Sequence, residues 1–99
     1  TKSEYIAYAN SSLIAGLEKQ IASLNSENTS LKKELDDTIL RVKEIQKSKE
    51  GRTQEEIDTI DQSIGEIEDE QAEIITKIDE NTKKIKAFNE QIKRRKEQQ

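Results

Sequence analysis

Lys47-Ser48-Lys49-Glu50-Gly51-Arg52-Thr53-Gln54-Glu55-Glu56 decides how this 99-residue chain folds, because it carries a helix stop followed at once by a helix start. Lys47 and Lys49 are bases of the kind that suit the negative end of a helix dipole. Gly51 can take the left-handed conformation that ends a helix at little steric cost. Thr53 and Glu56 have capping-box spacing, and Glu55 and Glu56 put acids in the first turn of a new helix. One uninterrupted helix is the competing reading, since a single interior glycine costs only about 1 kcal/mol. The phase of the apolar residues speaks against it.

Upstream of the break, Ile14, Ile21, Asn28, Leu35 and Val42 fall at a positions of a heptad, with Leu17, Leu24, Leu31, Thr38 and Ile45 at d. Downstream, Ile57, Ile64, Gln71, Ile78, Ile85 and Ile92 fall at a, with Ile60, Ile67, Ile74, Asn81, Phe88 and Arg95 at d. Counting on from Ile45 puts Lys49, Glu56 and Ser63 at a, so the seam shifts by one residue across the break. A straight coiled coil needs a skip there, whereas a hairpin needs none. The pattern predicts an all-α fold: one long antiparallel helical hairpin, with helices over 3–49 and 54–97 and a turn at 50–53. Folding back at Gly51 sets each a against a d with residue numbers summing to 102, which pairs Leu24 with Ile78, Leu17 with Ile85 and Ile14 with Phe88. The same register brings Lys32 near Glu68.

Four seam positions are polar. With a sum of 102, Asn28 faces Ile74, Asn81 faces Ile21, Gln71 faces Leu31 and Thr38 faces Ile64. A buried amide without a partner costs about 1–3 kcal/mol. Two readings follow: the amides reach water at the edge of a two-stranded seam, or Asn28, Gln71 and Asn81 meet symmetry mates in a larger bundle and set its register. Apolar residues also lie outside the seam, with Ile39 and Ile75 at e, Leu40 at f and Leu13 at g. A stripe widened in this way points to further association into a helical bundle. Tyr5-Ile6-Ala7-Tyr8-Ala9-Asn10-Ser11-Ser12-Leu13-Ile14-Ala15-Gly16-Leu17 carries no charge. It is read either as packing on the open end near Phe88 and Ile92 or as a docking surface in which Tyr5, Ile6, Tyr8 and Leu13 meet a partner.

Composition fits a seam better than a globular core: 30% of residues are hydrophobic, 38% are charged, and there are one Phe, two Tyr and no Trp. The same numbers suit a disordered chain, but sustained periodicity and the absence of proline favour long helices. The net charge of −4 comes from mixed signs and does not favour nucleic acid. Lys93-Arg94-Arg95-Lys96 is short and suits the end of a helix. No apolar run approaches the length that spans a bilayer. With no His and no Cys, the commonest bases, nucleophiles and metal ligands are missing, so no catalytic, cofactor or metal site is expected. The absence of cysteine does not decide the compartment.

Ile78-Asp79-Glu80-Asn81-Thr82-Lys83-Lys84-Ile85 resembles the I-x-x-N-T-x-x-I segment in stalks of trimeric autotransporter adhesins and some phage fibres. That resemblance covers eight residues and implies a parallel three-stranded coil with Asn81 pointing to its axis around an anion. The first arm departs from it, with Leu at d. In size and hairpin form the chain is also similar to the small helical-hairpin proteins of type VII secretion, but Glu50-Gly51-Arg52 stands where they carry W-x-G. The expected role is a non-catalytic interaction protein, an oligomerisation module, spacer or adaptor whose partner is itself or another helical protein. The alternative is a fibrous stalk segment.

Overall fold

The computed structural model describes residues 1–98, which form two α-helices, α1 (Lys2–Lys47) and α2 (Gln54–Glu97), joined by a turn, with no strand among the described residues. The chain is an all-α antiparallel helical hairpin. Helix–helix packing divides it into two compact units. The loop unit is Thr29–Ile78, and the terminal unit is Thr1–Asn28 with Asp79–Gln99.

Local chemistry accounts for the start of α1 and for both boundaries at the turn. At the start of α1, the Glu4 N–H donates to Thr1 Oγ1 at 3.2 Å while the Thr1 amine donates to the Glu4 carboxylate at 2.9 Å. α1 ends at Lys47, two residues earlier than the 3–49 expected. The Ser48 hydroxyl donates to the Ile45 carbonyl, and the amides of Lys49 and Glu50 bond three residues back, to Gln46 and Lys47. Bonds of that pattern tighten a last turn and close it. The turn therefore covers 48–53. Gly51 is its left-handed residue, at φ +74°, and the Arg52 amide bonds back to the Lys49 carbonyl.

Thr53 then caps α2. Its hydroxyl accepts from the Glu56 N–H at 3.2 Å and donates to the Glu56 carboxylate at 3.1 Å. Arg52 Nη1 donates to the other oxygen of that carboxylate at 3.0 Å, and its Nε reaches the Ser48 carbonyl at 3.3 Å. The break is thus held by side chains that lie within the quoted stretch.

Burial follows the heptads. Ile64, Ile67, Ile74 and Leu31 are buried in the loop unit, and Ile14 and Ile92 in the terminal unit, while the remaining a and d aliphatics are half-buried. Two residues in seven suffice for such a core.

Arg52, followed by Thr53, holds the Glu56 carboxyl below its ordinary value. A carboxylate whose folded pKa is depressed contributes stability above its unfolded pKa and loses it as pH falls through the lowered folded value. Glu56 is therefore expected to titrate below the ordinary glutamate range in an NMR pH titration, and Arg52→Ala to move it back up. An Arg52→Ala chain in which Glu56 titrates unchanged would remove the guanidinium as the cause.

Candidate functional site

The polar positions of the seam are where the structure departs from the expected register. In the terminal unit, Asn81 Nδ2 donates to Asn28 Oδ1 at 3.0 Å, and Asn28 Nδ2 donates to Thr82 Oγ1 at 3.5 Å. In the loop unit, Gln71 Nε2 donates to Thr38 Oγ1 at 3.1 Å, and that hydroxyl donates to the Leu35 carbonyl at 2.6 Å. Asn28, Thr38 and Asn81 are buried, and Thr38 is only 2% exposed. Among the described residues, no buried side-chain nitrogen or oxygen lacks a partner.

Both cross-helix pairs, 28 with 81 and 38 with 71, sum to 109. The sum of 102 is therefore corrected by one whole heptad. Every a still meets a d, but Leu24 comes level with Ile85 and Leu17 with Ile92. Phe88 lines a groove with Leu24, Ser23 and Gln20 rather than meeting Ile14. The physical reason is the cost of unpaired buried amides. A sum of 102 sets all four polar side chains against aliphatics, whereas 109 pairs them with each other. Neither expected account of the amides is needed, since each finds its partner within the chain. Asn81, which the stalk resemblance turned toward a threefold axis, bonds Asn28 of its own chain.

Cross-helix ion pairs follow the same shift. Arg41 lies 3.8 Å from Glu70, and Lys49 pairs with Asp61, in place of the expected approach of Lys32 to Glu68. Exposed pairs of this kind contribute a few tenths of a kcal/mol each and tune rather than determine the packing.

The seven apolar residues singled out in the sequence all lie on the outside. In the loop unit Ile39 is 41% exposed, Leu40 57% and Ile75 53%. Ile39 and Ile75, both at e, flank the same edge of the antiparallel seam. In the terminal unit Tyr5, Ile6, Tyr8 and Leu13 are exposed, the two tyrosines by almost three quarters. These four do not pack on the open end, whereas Asn10 and Ile14 of the same stretch are buried and Leu17 comes level with Ile92. With a sum of 109, Glu97 at the end of α2 comes level with Ser12, so the first turns of α1 run past it. Arg95, the seam's last d residue, reaches back to Asn10 Oδ1 at 3.5 Å, and Asn10 is buried.

No helix is long and apolar enough to cross a membrane among the described residues, and no group of three or more His, Cys, Asp or Glu is placed to hold a metal ion. Comparison with protein-family models, with curated proteins and with solved structures finds no match.

The paired amides make a prediction opposite to simple packing. Asn81→Ile adds apolar contact but leaves the buried Asn28 Oδ1 without its donor, so it is expected to destabilise the hairpin by about 1–3 kcal/mol in urea unfolding. Asn28→Ile combined with Asn81→Ile should recover that loss, because no polar group is left unpaired. A stabilised Asn81→Ile single variant would contradict the pairing.

Proposed function

We propose that this chain is a non-catalytic coiled-coil interaction protein, an oligomerisation module, spacer or adaptor that presents a hairpin to other helices or to a second copy of itself. One observation carries the reading. The seam satisfies its own polar groups, yet seven large apolar side chains stay exposed around it. A hairpin whose core is complete has no packing use for Ile39, Leu40 and Ile75, and burying an aliphatic side chain is worth about 1.5–3 kcal/mol when complete. Association is the ordinary way to recover that burial.

Within this reading, Asn28, Gln71 and Asn81 hold the two helices at one stagger. They thereby fix where Ile39 and Ile75 stand on the common edge and leave Tyr5, Ile6 and Tyr8 clear of α2. The partner meets an edge lined by aliphatics and flanked by mixed charges, a surface suited to the apolar stripe of another helix.

Replacing Ile39, Leu40 and Ile75 together with Lys or Glu is expected to leave the helical circular-dichroism signal in place. It should abolish self-association in sedimentation or recovery of a helical partner by affinity capture. A triple variant that keeps the wild-type mass and the wild-type partners would reject this surface.

A further inference from the structure

The charges of α2 are sorted along its length. Residues 54–76 carry nine acids and no base, whereas residues 83–96 carry seven bases and one acid. The acidic stretch lies in the loop unit and the basic stretch in the terminal unit, on one uninterrupted helix. Such a helix is complementary to a second copy of itself only when the two run antiparallel, because a parallel pair sets acid against acid and base against base.

The sorting is sharpest along one edge, the e and b positions beside the seam. Asp58, Asp61 and Glu68 occupy its acidic part, and Lys86, Lys93 and Lys96 its basic part; all six are exposed. Among the described residues, Glu68 and the three lysines hold no ion pair within the chain, whereas Asp61 already holds Lys49. Gly65 interrupts the acidic part, and between Glu68 and Lys86 the edge carries Ala72, the exposed Ile75, Asp79 and Thr82. Nothing lies within 4 Å of where a Cβ on Gly65 would stand, so the hairpin itself does not require a glycine in the interior of α2. Small residues on an outer edge let a second backbone come close.

We infer that this edge of α2 is a homodimerisation seam, on which α2 of a second copy lies antiparallel with facing residue numbers summing to 154. The inference rests on the interaction reading above and names its partner. In this alignment Glu68 faces Lys86, Asp61 faces Lys93 and Asp58 faces Lys96, and symmetry repeats the three pairs. Gly65 faces Asn89, and Ala72 faces Thr82. Asp79 comes opposite Ile75, and its own Lys83, 3.1 Å away, offsets its charge.

The chain has no cysteine, so introduced thiols report cleanly. The test compares the full chain with two charge-swapped chains, Asp58→Lys with Glu68→Lys, and Lys86→Glu with Lys96→Glu, in sedimentation equilibrium at low and high salt. Helicity is checked by circular dichroism. The wild type is expected to dimerise more weakly as salt rises. Each swapped chain should stay helical while its dimer dissociation constant rises by at least about tenfold, and mixing the two should restore a heterodimer. Gly65→Cys and Asn89→Cys chains, mixed and oxidised, should link to each other in preference to themselves. A wild type that stays monomeric at low salt overturns the inference, and affinity capture then still decides the broader reading. A dimer that survives both swaps yet dissolves on replacing Ile39, Leu40 and Ile75 overturns the inference and leaves that reading standing. Preferred linkage of Gly65→Cys chains to one another would overturn the antiparallel alignment.

Discussion

Two hydrogen-bonded polar layers, Asn28 with Asn81 and Thr38 with Gln71, carry the constraint on which the rest of this hairpin depends. Aliphatic contacts along a heptad seam are nearly equivalent from one repeat to the next. A slip of seven residues exchanges one Leu–Ile layer for another and changes the buried area little. A buried amide is different, because a slip that removes its partner costs about 1–3 kcal/mol for each orphaned group. The apolar residues hold the helices together, and on this argument the amides choose the stagger.

Much follows from that stagger. A sum of 109 rather than 102 carries α2 further past the end of α1 at the loop, and the turn over 48–53 accommodates the offset. There Gly51 reverses the backbone, Arg52 ties Ser48 to Glu56, and Lys49 holds Asp61 on the first turns of α2. The opposite consequence appears in the terminal unit. The first turns of α1 have no α2 beside them, so Tyr5, Ile6 and Tyr8 lie open to solvent although the sequence around them is uncharged. Arg95, level with the buried Ile14, reaches one turn further along α1 to the buried Asn10.

The fold and the position of the break were legible in the sequence because their causes are local. Gly51, the Thr53 cap and the acids behind it act within a few residues of one another, and 3–4 spacing names the buried face of each helix. The outward position of Ile39, Leu40, Ile75 and Leu13 was legible for the same reason, since e, f and g positions face away from a two-stranded seam. The register was not legible from periodicity. A heptad pattern defines the phase of two helices modulo seven, and centring the fold on Gly51 supplied the missing heptad from the wrong residue. The signal that gives it was present in Asn28, Thr38, Gln71 and Asn81: only one of the two alignments matches polar with polar. The same shift of one heptad leaves Tyr5, Ile6 and Tyr8 beyond the end of α2 while Ile14 stays buried.

Disulfide closure measures the stagger directly, since the chain has no cysteine of its own. Leu17→Cys paired with Ile92→Cys, and Leu17→Cys paired with Ile85→Cys, differ only by one heptad in the second partner. With the amides paired as described, the first variant should oxidise rapidly to an intramolecular disulfide and the second should remain largely reduced under the same conditions. Rapid closure of Leu17→Cys with Ile85→Cys, and not of Leu17→Cys with Ile92→Cys, would contradict the register and with it the role given to the polar layers.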